Sequence, residues 1–141
     1  MSFEIQNAAD YIPQKSPFVL VDKLVYVDEN TSHASFKIQK GNIFVKTGVY
    51  STSGMVESMA QTAAAGTGYL CRKNNREVPI GYIGAVQKLE VKDWPPVNAE
   101  ITMEITLLTN ILHVSLVSGT VLYKGKMMAS CEMKIFVNHQ I

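Results

Sequence analysis

Residues 55–71 read MVESMAQTAAAGTGYLC, a run of alanine, methionine and small polar residues that favours an α-helix over a strand. At helical spacing its apolar members form one stripe with a second beside it: Met55, Met59, Ala63 and Gly66, then Val56, Ala60 and Ala64. One of residues 51–53 can cap the first turn, and Gly66 and Gly68 allow another backbone to approach closely. The pattern predicts a helix that is largely enclosed by protein.

Strand-like segments lie on both sides of this helix. Before it, residues 18–27 (FVLVDKLVYV) and 32–38 predict a hairpin, and residues 3–12 predict a short helix. After it, alternating apolar and polar residues predict four strands, at roughly 80–92, 99–108, 111–123 and 127–137. Lys124-Gly125 predicts a tight turn between the last two. This order indicates an α+β domain whose helix packs on one face of an antiparallel sheet.

Composition narrows the class of protein further. The 141 residues are 47% apolar, enough for one substantial core, so residues 1–141 are expected to form a single domain. A formal net charge of +1 gives no sign of a nucleic-acid partner. No stretch approaches the roughly 20 apolar residues that a bilayer crossing needs, and the first residues do not resemble a signal peptide. A cytoplasmic protein is expected, with Cys71 and Cys131 as buried reduced thiols.

The expected sheet raises a question about assembly. A narrow single sheet would leave part of the helix uncovered and would leave edge strands with unpaired N–H and C=O groups. We therefore expect a homodimer in which the sheets of two protomers join, or a higher oligomer built from such dimers.

Three segments carry a family resemblance. They are Pro13 with residues 16–23 (SPFVLVDK), residues 55–61 (MVESMAQ), and residues 84–89 (GAVQKL) followed by Pro96-Val97. In this order they resemble the opening segment, the central-helix motif and the following strand of the β-hydroxyacyl-acyl-carrier-protein dehydratases of the FabZ/FabA type. The resemblance covers most of the chain. It implies the hotdog fold, in which a long central helix is wrapped by a curved antiparallel sheet.

One loop departs from that family. In the FabZ/FabA-type dehydratases, a glutamate on the central helix acts together with a histidine from a Gly-His-Phe-Pro loop of the opposite subunit. Here the corresponding stretch is Gly41-Asn42-Ile43-Phe44-Val45, so Asn42 or Ile43 stands in place of the histidine. The family's Pro-Gly before the helix is replaced by Ser51-Thr52. In this respect the chain resembles divergent relatives, such as the dehydratase-like proteins of aryl-polyene and pigment pathways.

The resemblance assigns chemistry to the start of the helix. Dehydration needs a group that removes a proton beside the carbonyl and protonates the departing hydroxyl, and Glu57 is the candidate. Gln61, one turn further on, is placed to orient it or to lie at the dimer seam. N–H groups of residues 50–54 are candidates for stabilising the enolate oxygen, and side chains there are candidate donors or ordinary capping residues. These are Tyr50, Ser51, Thr52 and Ser53.

Other chemistries lack support in the sequence. No phosphate-binding glycine loop, Ser/His/Asp set or metal-spaced cluster is present, so neither a metal nor a cofactor is expected. The histidines, His33, His113 and His139, are not expected to be catalytic. Five basic residues are candidates for binding an acidic acyl carrier protein, although the simpler interpretation is that they are solvent-exposed loop residues. They are Arg72, Lys73, Arg76, Lys88 and Lys92.

Three functions are consistent with these residues. The first is a 3-hydroxyacyl-acyl-carrier-protein dehydratase of fatty-acid or polyene-type biosynthesis, acting on a thioester carried by acyl carrier protein or coenzyme A. The second is a hotdog thioesterase in which Glu57 activates water. The third is a noncatalytic subunit that forms a heterodimer with a true dehydratase.

Overall fold

A long helix is the central element of the computed structural model, which describes residues 3–138, without the side chains of Ile80 and Asn138. The helix, α1, spans Thr52–Lys73, and Ser51 caps it by accepting a hydrogen bond from the Gly54 N–H at 3.2 Å. The predicted helix is confirmed and gains residues at both ends. None of the helices in the described range is long and apolar enough to cross a bilayer.

Antiparallel strands supply the rest of the fold. Their bounds are β1 Gln6–Asn7, β2 Lys23–Val27, β3 Thr31–Lys37, β4 Val45–Lys46, β5 Val49–Tyr50, β6 Ile80–Val91, β7 Glu100–Ile111, β8 Val114–Tyr123 and β9 Lys126–Asn138. Within residues 3–138, seven of them form one sheet in the order β1-β2-β3-β7-β8-β9-β6, and β4 pairs with β5 in a small hairpin just before α1. The helix packs on the large sheet, as predicted.

The strands after the helix are confirmed closely, because their alternation matches the pleat. Lys124 and Gly125 form the tight turn between β8 and β9 with φ values of 51° and 76°, the left-handed conformation that such turns require. The short helix predicted at residues 3–12 was too long. Only a 3₁₀ turn at Ala8–Tyr11 forms, since Gln6 and Asn7 pair with β2 as a short strand and the Ala8 N–H donates to the Asp22 carbonyl at 3.0 Å.

The core lies between α1 and the sheet. Met55 and Met59 are fully buried there, and a Cβ added to Gly119 of β8 would lie only 2.8 Å from Met59 Sδ. Gly66 approaches Ser32 of β3, as expected of a residue without a side chain, and Gly68 approaches Tyr11 in the same way. Cys71 and Cys131 are buried free thiols, as predicted.

Candidate functional site

Glu57 lies on the wall of a cavity of about 790 Å³. The carboxylate is half-buried on the second turn of α1. The helix lines the cavity with residues at helical spacing, namely Glu57, Ala60, Gln61, Ala63, Ala64 and Thr67. The opposite wall is largely apolar and comes from residues 12–14, residues 78, 79 and 81–83, and β9, including Val78, Ile83, Ile135 and Val137. A second cavity of about 400 Å³, beside β1 and Lys23, does not contain Glu57.

Gln61 holds Glu57 in place. Its Nε2 donates to Glu57 Oε1 at 3.1 Å and to the Phe18 carbonyl at 2.8 Å, while its Oε1 accepts from the Leu20 N–H at 2.7 Å. Gln61 is only 1% exposed, so this amide is fixed by three partners in a water-poor environment. The predicted contact between Gln61 and Glu57 is therefore present.

Tyr50 belongs to the core. Its side chain is fully buried, and its hydroxyl lies 2.8 Å from Ser58 Oγ, which donates to the Leu20 carbonyl at 2.9 Å. Burial raises the pKa of the Tyr50 hydroxyl above its ordinary value. Tyr50 does not line the Glu57 cavity. Its contacts give it a packing role, and they lend no support to the expectation that it donates to a substrate.

The side chains of residues 51–53 also lie outside the cavity wall. Ser51 Oγ caps the helix, Thr52 Oγ1 accepts from the Trp94 indole Nε1 at 3.0 Å, and Ser53 is exposed. These contacts match the simpler interpretation of the three residues as capping and loop residues. They do not bring the predicted donors next to Glu57 within the described protomer.

The loop that lacks the family histidine is tied to its own backbone. Asn42 Oδ1 accepts from the Phe44 N–H at 2.8 Å, the Phe44 carbonyl accepts from the Ser51 N–H at 2.9 Å, and Ile43 is exposed. None of the three residues lines the cavity, and no histidine does so within the described residues. His33 lies against the Tyr26 ring, and His139 falls outside the described residues.

Sequence reasoning missed Gln14. This residue lines the same cavity as Glu57, and its Oε1 is buried without a hydrogen-bond partner among the described residues. It stands next to Pro13, in the gap between Pro13 and residues 16–23, which carry the resemblance to the dehydratases. No periodicity marks it, because it lies in an irregular stretch between the 3₁₀ turn and β2.

The basic residues divide into two groups. Arg72 lines the far end of the cavity, and its guanidinium lies 4.9 Å from the centre of the Tyr11 ring. Lys88 and Lys92 pair with acids of the sheet, at 3.6 Å from Glu132 and 2.6 Å from Glu90. Lys88 of β6 and Lys92, just after β6, are thus partly compensated, whereas Arg72 adds a positive charge to the cavity wall.

The outer edge of β6 is open. Within the described residues this strand pairs only with β9, and large apolar side chains along it are exposed: Tyr82 at 57%, Ile83 at 41%, Val86 at 39% and Leu89 at 44%. An edge strand of this length with apolar side chains usually pairs with or is covered by another chain.

Comparisons with known proteins identify the family and the fold of the chain. A family model described as ApeP-like, ApeP dehydratase, matches residues 6–141. The dehydratase heterocomplex ApeI:P from Xenorhabdus doucetiae has a chain with a TM-score of 0.83 and 14% identity, covering 96% of this chain and 93% of that one. No curated protein matches the sequence.

Two further solved structures share the fold at lower similarity. The protein smu.793 from Streptococcus mutans UA159, bound to acetyl CoA, gives a TM-score of 0.70 at 8% identity and covers 92% of this chain and 98% of that one. A hypothetical thioesterase with coenzyme A from Streptococcus pneumoniae TIGR4 gives 0.68 at 8% identity, covering 83% and 85%. The predicted hotdog fold is confirmed.

Proposed function

Because this chain belongs to the ApeP-like dehydratase family, we propose that it removes water from a 3-hydroxyacyl thioester, with Glu57 as the acid–base group. The observation that carries the proposal is the position of Glu57 on the wall of a largely apolar cavity of about 790 Å³, where Gln61 fixes one carboxylate oxygen. We propose that residues 1–141 act as one hotdog domain and that the acyl tail occupies the cavity, because apolar walls favour a hydrocarbon chain.

The proposed reaction uses one carboxylate twice. Glu57 removes a proton from C2, which the neighbouring thioester carbonyl makes acidic, and the electron pair moves onto the thioester oxygen to give an enolate. As that pair returns to form the C2–C3 double bond, the C3–O bond breaks. Glu57 then returns the proton to the departing hydroxyl, which leaves as water. The products are a 2-enoyl thioester and water, and no cofactor takes part. Gln61 acts as a positioning residue, because it holds the carboxylate at a fixed orientation.

Besides the acid–base group, the reaction needs a donor that stabilises the enolate oxygen, and this donor is proposed to come from another subunit. In the described residues the other charged side chain of the cavity is Arg72, fifteen positions along α1 and so about 22 Å from Glu57 along the helix axis. That separation is too large for both groups to act on one substrate carbonyl. The donor is therefore proposed to be supplied by a partner subunit, or by the start of α1 once the subunits have assembled.

We propose that the exposed edge of β6 pairs with a second hotdog subunit. This subunit is either another copy of the chain or a dehydratase partner. The absence of a histidine from the cavity wall of the described residues favours the partner. The similarity to a chain of the ApeI:P heterocomplex supports the same choice. The thioester is proposed to arrive on acyl carrier protein or coenzyme A, in fatty-acid or polyene-type biosynthesis.

One assay separates the candidate functions. The purified protein is incubated with a 3-hydroxyoctanoyl thioester of acyl carrier protein or coenzyme A, alone and with a dehydratase subunit of the same fold. An enoyl product from the protein alone supports a dehydratase, and free thiol supports a thioesterase. Product that appears only after the partner is added supports a subunit of a heteromeric enzyme.

Replacement of Glu57 tests the site itself. Glu57→Gln keeps the shape of the side chain but removes the acid–base group, so we expect turnover to fall by about 10²–10⁴-fold. The matched control is Glu29→Gln, in the exposed turn between β2 and β3, which should keep the full rate. A Glu57→Gln variant with unchanged turnover would show that another residue carries the chemistry.

A further inference from the structure

The turn between β7 and β8 carries a leucine where glycine or a polar residue is expected. Leu112 is 89% exposed and has a φ of 55°, a left-handed conformation that glycine and asparagine tolerate but that is costly for a large side chain. The turn between β8 and β9 has Lys124 and Gly125 in the same conformation instead. Because Leu112 supports neither its own turn nor the core, a contact outside the protomer best explains its apolar side chain.

Leu112 is part of an apolar patch at the end of this hairpin. Ile111 is 63% exposed and Leu108 is 47% exposed, and the β7–β8 register shifts beside Leu108, which marks a bulge. We call these three residues the apolar tip. Residues 105–118 contain no acid. Single exposed apolar residues are common, whereas a group of them at one place marks contact with a protein or a membrane.

Strand pairing places the apolar tip at the same end of the sheet as the start of β6. Ile111 of β7 pairs with Val114 of β8. Val114 pairs in turn with Phe136 of β9, and Phe136 pairs with Tyr82 of β6. Neighbouring strands are about 4.8 Å apart, so the start of β6 lies roughly 10–15 Å from the tip. Residues 74–79, which join α1 to β6, therefore lie near the tip as well.

The end of α1 and this loop carry uncompensated positive charge. Arg72, Lys73 and Arg76 are exposed, and none of them forms an ion pair within residues 3–138. Glu77 is the one acid of residues 72–79, so three cations and one anion leave a formal charge of +2. Cations beside an apolar tip complement an anionic bilayer, because lipid head groups attract the charges and the layer beneath accepts the apolar side chains.

We propose that the apolar tip and these three basic residues dock the protein on the surface of an anionic membrane, a property that goes beyond the proposed reaction. The tip enters the boundary between head groups and acyl chains, while the cations lie against lipid phosphates. Lipids part around a projecting turn, whereas a folded protein would need a matching pocket. The tip lies on the β7–β8 hairpin, away from the edge of β6, so pairing of that edge with a second subunit leaves the tip free.

Vesicle sedimentation of the full chain tests the contribution of the tip. The vesicles consist of phosphatidylcholine alone or of an equal mixture with anionic phosphatidylglycerol. We expect binding to the mixed vesicles that weakens as salt is added. Leu112→Asn suits the left-handed turn but removes the apolar side chain, so it should weaken binding about tenfold. The matched control is Lys124→Asn, at the turn between β8 and β9, which should bind as the unmodified protein does.

A second pair of variants tests the contribution of charge. Lys73→Gln combined with Arg76→Gln should weaken binding to the mixed vesicles about thirtyfold, because each cation near an anionic surface adds to the affinity. Lys40→Gln combined with Lys46→Gln removes the same charge from exposed residues before α1 and should leave binding unchanged. Equal weakening by both pairs would show that only net charge matters, and it would overturn the proposed docking surface.

Other outcomes also decide against the proposal. It is wrong if the mixed vesicles do not bind the protein, or if Leu112→Asn binds them as well as the unmodified protein does. If Leu112→Asn lowers the mass of an assembly in light scattering, the tip is a contact between protein chains, and membrane docking is overturned. Binding of an acidic acyl carrier protein through Lys73 and Arg76, without binding of vesicles, has the same consequence.

The test does not depend on the proposed reaction, because vesicle binding is measured without substrate. Leu112→Asn should keep full turnover of 3-hydroxyoctanoyl-pantetheine in solution, since Leu112 does not line the Glu57 cavity. A protein that binds mixed vesicles through the tip but does not dehydrate this thioester would contradict the proposed function and support membrane docking.

Discussion

The two sides of α1 differ in the size of their side chains, and this difference determines where the cavity forms. On one side Met55 and Met59 are fully buried in the core, and Met59 fills the space above Gly119 of β8. Toward β6, the corresponding turns carry Ala60, Ala64 and Thr67, whose short side chains leave the cavity of about 790 Å³. We call these the methionine side and the alanine side of the helix. One helix thus provides a packed core on one side and room for a ligand on the other.

Polar residues occupy the boundary between the two sides. Ser58 donates to the Leu20 carbonyl, and Gln61 bonds to the Leu20 N–H and the Phe18 carbonyl. These contacts fasten the segment before β2 to the helix. Because the Leu20 backbone bonds to helix side chains, residues 18–22 do not continue the strand. The sequence pattern placed the start of the strand at Phe18, whereas β2 begins at Lys23.

The largest expected effect is the loss of stability on the methionine side. Met59→Ala should lower the free energy of unfolding by about 2–5 kcal/mol, because it removes a fully buried side chain and leaves a void against β8. Urea unfolding followed by circular dichroism measures the change. Leu112→Ala, at a residue that is 89% exposed, is the control and should shift the value by less than about 0.5 kcal/mol. A loss below about 1 kcal/mol for Met59→Ala would mean that this side is not tightly packed.

The next largest effect is expected on the alanine side, where a substitution should lower turnover without lowering the free energy of unfolding. Ala64 lies seven residues beyond Glu57, about 10 Å along the helix, and is exposed to the cavity. Ala64→Phe should lower kcat/KM for a 3-hydroxydecanoyl thioester about a hundredfold, because the ring displaces the acyl tail and misplaces the reacting carbon. A 3-hydroxybutyryl thioester, whose tail is too short to reach the ring, should react normally.

Ala64→Ser serves as the matched control, since it adds little volume, and it should leave both rates unchanged. Equal losses for the long and short substrates with Ala64→Phe would indicate that the carrier arm, and not the acyl tail, lies along this side of the helix. In that case the orientation of the substrate proposed above would have to be reversed.

Regular elements could be predicted because their signals are periodic and local. The alternation in residues 99–108 and 127–137 reports directly on the face that each strand buries, and the pair at Glu57 and Gln61 follows from helical spacing. Gln14 could not be found in this way, because it lies in an irregular stretch before β2 and joins Glu57 in lining one cavity only once the chain is folded. Nearness in sequence is likewise a weak guide to a site: Tyr50 and residues 51–53 are close to Glu57 along the chain, but their side chains do not line the cavity of the described protomer, and their role as donors stays a prediction.

The smallest expected effect tests whether the core around the methionine side excludes water. Cys131 of β9 belongs to the same core cluster as Met59, and burial raises the pKa of its thiol to about 11 from an ordinary value of 9.0. Between these two pH values the unfolded chain loses the thiol proton and the folded chain keeps it. The thiol therefore stabilises the fold fully below about pH 9, and this contribution is lost as the pH rises through about 11.

The Cys131→Ala variant lacks this thiol, so the free energy of unfolding of the variant should fall less steeply between these pH values than that of the unmodified protein. Parallel curves would mean that water reaches the thiol and that the methionine side is less well sealed than its packing indicates.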